Sequence, residues 1–302
     1  MTFTLQYAFF RRAWAAARTR RIGYAYLGVA LGALMQVPAK AACIGDTTAL
    51  PAVEFHVVPQ YTPAQVYLQW TPLLDHIGKA AKLCFELRVA PTIPEFEQAL
   101  FRGDADFAFL NPYHLVLARQ KQGYVPLLAD VKTRLAGVLV VRRDSKITAL
   151  SELQGGAVAF PAPNAFAATL LPRALLAAQK IEIKPRFVTS HSNVYRAVIN
   201  GDVVAGGAVN TTLAQEPAQV RELLRVLHTT ADYISHPIAA HPRVPAAVRA
   251  ALVAAFLKSK TDAAGRRLLE KVQLPMPALV TYEKDYAALE TLNLGAFVSK
   301  AN

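Results

Sequence analysis

The sequence predicts an α/β protein of two lobes, each a mostly parallel sheet flanked by helices, with a cleft between them. Three observations lead there. Short apolar runs alternate with helix-period segments along most of the 302 residues, which is the pattern of parallel βαβ units. Gly, Pro and Asn mark the joints between them. One stretch, residues 145–171 (SKITALSELQGGAVAFPAPNAFAATLL), shows the whole pattern at once. It reads as a short helix (150–153), a Gly-Gly turn, an apolar strand (157–160), a Pro-broken loop and a new helix. The loop at 161–166 puts backbone N–H groups at a helix start. Such a start carries unpaired donors and about half a positive charge, so it suits an anion.

The elements follow in order. Residues 53–58 (VEFHVV) form a buried strand. Pro63 opens a helix in which Val66, Leu68, Trp70, Leu73, Leu74 and Ile77 recur at helical spacing, with Trp70 packing in the first lobe. Pro72 is expected to kink or split it. Residues 85–90 are a second strand, and a short helix from Pro94 through Phe96, Ala99 and Leu100 ends at Gly103-Asp104. Residues 107–110 (FAFL) are a third strand. Asn111-Pro112-Tyr113 turns into a helix reaching Gln120. Residues 137–141 (GVLVV) are a further strand.

A second series runs through strands at 157–160, 186–188 and 203–209 (VVAGGAV), with a helix over 194–199 and a strand candidate at 224–227. From Pro245 the chain turns helical, with Val248, Leu252, Ala255 and Phe256 on one face. Another helix covers 265–272, and Pro275 and Pro277 then break the chain. This order divides the molecule into a first lobe, residues 43–139 plus 233–302, and an inserted second lobe, residues 140–232. Ligands of open α/β sheets bind outside the carboxyl ends of the strands. That rule selects the loops at 61–63, 111–113, 161–166, 190–193 and 210–212.

The N-terminus is separate from this pattern. Residues 1–42 hold six basic side chains and no acid, an apolar run over 22–37, and Pro38-Ala39-Lys40-Ala41. That is the layout of a secretory signal cleaved near Ala41 or Ala42. The apolar run is shorter than the ~20 residues a spanning helix prefers. Its removal leaves 27 Lys+Arg against 21 Asp+Glu, a net +6. This balance tolerates anionic ligands, and no basic run with interleaved aromatics points to nucleic acid. Cys43 and Cys84 are the two cysteines. Export permits a disulfide between them, brought together on neighbouring parallel strands. A lipid-modified Cys43 and two free thiols are the alternatives. No metal site or cofactor site is indicated: two cysteines without a nearby His pair do not make a zinc site.

Three pieces carry a family resemblance. They are residues 103–113 (GDADFAFLNPY), residues 145–160 (SKITALSELQGGAVAF) and residues 190–205 (SHSNVYRAVINGDVVA). In this order they resemble the phosphonate/phosphite-type substrate-binding proteins of bacterial ABC importers, within the type II periplasmic-binding fold. The resemblance implies a periplasmic protein that closes two lobes on a small anionic ligand and does no chemistry. It implies a separate permease and ATPase as partners; a sensor kinase reading the closed form is the alternative partner. An enzyme on the same fold is a distant third, since no G-x-S-x-G, H-E-x-x-H, P-loop or G-x-G-x-x-G occurs. The chain is expected to act as a monomer.

These loops and the resemblance together nominate residues. His191 would donate to an oxyanion or, blandly, cap its helix. Ser192 and Asn193 serve as ligand contacts or N-caps. Tyr113 and Tyr61 would reach or wall the ligand, or pack as core tyrosines. Asn210 is a ligand contact or a turn former. Asn164 would cap the helix after the 161–166 loop, with the N–H groups of Ala165 and Phe166 facing the anion. His236 reads as a hinge or surface residue. The departures concern the ligand. The family loop is commonly rich in Ser and Thr, but here it reads NAFAAT, with Thr169 the remaining hydroxyl. Val204 stands where the family has an acid. Another small oxyanion, a carboxylate or a partly apolar ligand therefore fits as well as a phosphonate.

Overall fold

The computed structural model describes residues 43–49 and 52–299. The secretory signal expected over residues 1–42 lies outside them. The first sheet begins with β1 (Ile44–Gly45) and β2 (Val53–Val57). Helix α1 (Pro63–Ala81) starts at a capping box between Thr62 and Gln65. It runs unbroken through Pro72, because the buried face of Val66, Trp70, Leu73, Leu74 and Ile77 holds both halves against one core. Then come β3 (Cys84–Val89), α2 (Ile93–Arg102), β4 (Phe107–Phe109), α3 (Pro112–Gln122) and β5 (Val125–Asp130). Helices α1, α2 and α3 each carry a proline in the first turn and end on a left-handed residue.

The chain crosses at residues 131–134 to the second sheet. This sheet takes β6 (Leu135–Arg142), β7 (Ala157–Phe160), β8 (Lys184–Phe187), β9 (Ala205–Val209) and β10 (Leu224–Tyr233). A π-turn at Phe166–Leu170 runs straight into α4 (Leu171–Ala178). Helix α5 (His191–Asn200) and the short α6 (Asn210–Gln215) and α7 (Ala218–Glu222) complete this lobe. Residues 234–236 return the chain to the first sheet as β11 (Pro237–Ala240). There follow α8 (Ala246–Ser259), α9 (Ala263–Lys271), β12 (Pro277–Leu279), α10 (Tyr282–Asp285) and two 3-10 turns.

The strand orders are β1-β3-β2-β4-β11-β5-β12 and β10-β6-β9-β7-β8. Both sheets are mixed. Parallel pairing is confined to β3-β2-β4 and β9-β7-β8, where consecutive βα units stack. The strands that carry the chain between lobes, β5, β6, β10 and β11, pair antiparallel. Strand β6 pairs along its whole length in the second sheet, so the boundary read at 139/140 falls inside it. An apolar run such as GVLVV shows that a strand is buried, not which sheet receives it. Strands β5, β11 and β12 leave no clear strand pattern in the sequence, because each is short and Pro-flanked or Pro-containing.

Cys43 and Cys84 form a disulfide with Cα atoms 5.5 Å apart. The pair sits where β1 runs antiparallel to β3, not between parallel neighbours. One apolar core spans both lobes, joining Phe109 and Tyr113 to Leu135, Ala165, Phe166, Leu170 and Val209. Two smaller clusters fill the two faces of the second sheet. Among the described residues no helix is long and apolar enough to cross a membrane.

Candidate functional site

Strands β2, β4, β7, β8 and β9 all point their carboxyl ends at the junction of the lobes. There the two lobes leave a small, partly open cavity of about 20 Å³. The first lobe contributes Val58 and Gln60 from beyond β2, Ile93 from α2 and Asn111 from beyond β4. The return crossing contributes His236. The second lobe contributes the run Ala165 to Ala168, His191 and Val209.

The second-lobe wall is made of backbone. The first hydrogen bonds of the π-turn run from Thr169 N–H and Leu170 N–H to the Ala165 carbonyl, at 2.8 and 3.1 Å. Among the described residues, the N–H groups of Phe166, Ala167 and Ala168 find no acceptor. These are the orphan donors of a helix start, on residues that line the cavity. Two glycines hold them there. A Cβ on Gly137 would lie 2.0 Å from the Ala167 carbonyl oxygen, and one on Gly207 would lie 2.3 Å from that of Ala168. Only bare backbone lets β6 and β9 approach the turn so closely.

His191 is the first residue of α5, after the N-cap Ser190, whose hydroxyl accepts from Asn193 N–H. The residue is 3% exposed, and its Nδ1 meets no protein partner. Its own N–H reaches the Gln60 carbonyl at 3.4 Å, joining the two lobes. Burial pushes its pKa down to about 3, so the imidazole is neutral. His236 is likewise pushed to about 3, by burial first and then by the neighbouring His114 and His191. It stacks on Phe109 with centroids 5.4 Å apart, and its Nε2 lies 3.3 Å from Gln60 Nε2. Asn111 caps α3, with Oδ1 accepting from His114 N–H at 2.7 Å. A backbone donor there fixes the amide's orientation, so Nδ2 is the group left for the cavity.

The sequence-nominated residues divide into two sets. Ala165, Phe166 and His191 line the cavity. The others join or brace the lobes around it. Tyr61 donates to Gln215 Oε1 at 2.8 Å and accepts from Gln273 Nε2 at 3.1 Å, clasping one lobe to the other. Its pKa is raised, chiefly by burial and then by Glu216. Tyr113 stacks on Phe166 across the junction, with centroids 6.2 Å apart and planes 11° from parallel.

Asn164 does not cap the helix. Its Nδ2 donates to Glu97 Oε2 and to the Ser299 carbonyl, both at 3.0 Å, and its Oδ1 accepts from Ser299 N–H at 2.9 Å. That diversion leaves the helix-start donors free. Thr169 spends its hydroxyl on the Ala162 carbonyl at 2.8 Å, inside its own loop. Ser192 donates to Glu216 at 2.6 Å, and Asn193 to the Val188 carbonyl at 2.9 Å. Asn210 ties down the crossing: its Oδ1 accepts from Ala136 N–H and its Nδ2 donates to the Arg134 carbonyl.

Gln60, Asn111, Ala167, Ala168 and His236 line the cavity without having been singled out as contacts. Asn111 carried a signal, a capping residue at a strand's end before Pro112. His236 lies in the return crossing, whose position depends on which sheet receives β11. The lining includes no Asp, Glu, Lys or Arg among the described residues. The arrangement offers hydrogen bonds to a ligand.

Solved structures show the same fold. A Xanthomonas citri protein bound to chloride ion is 20% identical, with a TM-score of 0.69, over 82% of this chain and 99% of its own. A binding protein component of an ABC phosphonate transporter from Pseudomonas aeruginosa is 16% identical, with a TM-score of 0.74, over 80% of this chain and 85% of its own. A Prochlorococcus marinus protein in complex with methylphosphonate is 14% identical, with a TM-score of 0.72, over 80% and 96%. No curated protein matches the sequence. The profile of a family described as ABC transporter, phosphonate, periplasmic substrate-binding protein matches residues 55–286. That span holds both sheets' central strands and every residue of the cavity wall, and the chain belongs to this family of periplasmic substrate-binding proteins.

Proposed function

We propose that the protein captures a small anion between its lobes, without turning it over, and presents it to the permease and ATPase of an ABC importer. The observation that carries this reading is the row of free N–H groups on Phe166, Ala167 and Ala168, residues that line the same cavity as His191 with its orphan Nδ1. Hydrogen bonds to a charged ligand contribute about 1.5–3 kcal/mol each, so three or four reach micromolar affinity without any hydroxyl. The solved relatives bound to chloride and to methylphosphonate support an anionic ligand. Both walls come from one chain, so a monomer suffices. The protein works in the periplasm once a signal over residues 1–42 is removed.

A thermal-shift panel of phosphate, phosphite, methylphosphonate, sulfate, methanesulfonate and chloride tests the reading. A ligand at 100 times its dissociation constant should add about 2.7 kcal/mol of stability. His191→Ala should weaken the best ligand by about tenfold, the worth of one modest hydrogen bond. No shift with any of the six, or full affinity in the variant, would sink the assignment.

A further inference from the structure

We infer that the C-terminal segment, residues 293–299, is a clasp that seats on the second lobe as the lobes close and so holds the cleft shut. This rests on the reading of the protein as one that closes on an anion, and adds a moving part to it.

The segment passes from one lobe to the other. The 3-10 turn Ala287–Leu292 packs on α3, and the next one, Leu294–Phe297, packs on α4. Between them stands Asn293, exposed and left-handed with φ at +50°. Asparagine enters that region at little cost, so the joint suits a change of direction. The crossings at 131–134 and 234–236 are covalent at both ends. This third crossing is tied to the second lobe by non-covalent contacts alone.

The polar contacts fall on two residues of the second lobe. Arg173 on α4 donates from Nη1 to the Phe297 carbonyl at 3.1 Å, and its guanidinium lies 5.5 Å from the centre of the Phe297 ring. Asn164 takes both backbone groups of Ser299, accepting from the N–H at 2.9 Å and donating to the carbonyl at 3.0 Å. Its other donation goes to Glu97 on α2. Among the described residues, every side-chain bond of Asn164 therefore leaves its own lobe. A buried amide needs such partners, and Asn164 meets them only while the lobes are together.

Asn164 stands immediately before Ala165, where the turn that carries the free N–H groups begins. The clasp thus grips the loop that bears the donors. Arg173, Phe297 and Ser299 do not line the cavity, so they reach a ligand only through closure. The hold is light: Ser299 is exposed, and Phe297 and Val298 are half-buried. Segments that bury so little are among the first to open. Bonds made only in the closed form raise its population, and with it the apparent affinity for whatever the cleft holds.

Spin labels at three exposed positions follow the parts: Lys121→Cys on α3, Lys146→Cys in the second lobe and Ser299→Cys on the clasp. The native cysteines are paired, so only the introduced thiols take label. Pairwise distances are measured in the free protein and with methylphosphonate added. The distance between positions 121 and 299 should hold one value, while those from 146 to 121 and from 146 to 299 change together. Combining Arg173→Ala with Phe297→Ala should shift the free protein to the longer distance between 121 and 146. It should also weaken methylphosphonate about three- to tenfold, the worth of a modest hydrogen bond or two. A constant distance between 146 and 299, or a lobe separation unmoved by the double variant, overturns the clasp and leaves anion capture standing. No motion in any sample, with all six anions of the thermal-shift panel inert, overturns both.

Discussion

The two walls of the cleft are built on different principles. The second-lobe wall presents main-chain N–H groups, placed by the close approach of Gly137 and Gly207 to the turn. The first-lobe wall presents the side chains of Gln60, Asn111 and His236, each steered by hydrogen bonds or stacking to its neighbours. A backbone wall pays no side-chain entropy when it meets a ligand and does not depend on the identity of its residues. This is why a loop reading NAFAAT keeps its donors although its hydroxyls are nearly gone. Specificity falls to the histidines, Asn111 and the uncharged lining.

The largest effect should come from cutting the tie between the walls. Glu97 joins His114 of the first lobe to Asn164 of the second. Glu97→Ala leaves the His114 ring buried and unpaired, while Asn164 keeps its two bonds to Ser299, and should cost about 3–5 kcal/mol in urea melts. Asn164→Ala spares the Glu97–His114 contact and should cost about 1–3 kcal/mol. Equal losses in the two variants would mean that the tie to the second lobe, not the buried pair, carries the stability.

Acid should act on both walls at once, since each holds one buried histidine. His191 and His236 have folded pKa values of about 3 against an ordinary 6.5. Between those values the unfolded chain binds protons that the folded chain refuses. Their contribution is therefore complete above pH 6.5 and is lost as pH falls toward 3. The slope is up to about 1.4 kcal/mol per pH unit for each histidine. Melts at pH 7.5, 6 and 5 should show this decline, and His236→Asn should flatten it by about half. A slope unchanged by the substitution would place the acid sensitivity elsewhere.

A smaller effect on stability, but a specific one on binding, should follow from Gly207→Ala. The new methyl group would meet the Ala168 carbonyl and the Phe160 ring, at 2.3 and 2.5 Å. Overpacking of this kind costs about 1–3 kcal/mol. It should also tilt the helix-start donors and weaken the anion at least tenfold, while Asn111 on the other wall stays in place. Undiminished affinity in this variant would mean that the side-chain wall does the binding.

Much of the fold was legible in the chain. The strand at 157–160 appears at the residues read, and the strands at 53–58 and 107–110 appear within a residue or so. Each combines a dense apolar run with a turn signal at both ends. The position of Ala165, Phe166 and His191 at the junction of the lobes is legible too, because strand ends and helix starts can be placed from local pattern. Asn164 was read as a cap because its type suits one, but its partners Glu97 and Ser299 are 67 and 135 residues away. Asn210, Thr169 and Tyr61 carry the same lesson: a polar side chain's type is local, and its partner is not.

Local sequence dictates the alternation of strands and helices, the capping of α1, α2 and α3, and a helix start after β7. These depend on neighbours within a few residues, where propensity and capping act. Long-range packing is what places β6 in the second sheet and β11 in the middle of the first, and so brings His236 to the same cavity as His191. It also decided that the cleft's lining is uncharged. Pairing between distant strands is chosen by the packing of the whole core, to which each apolar run contributes alike, so no single run specifies its own partner.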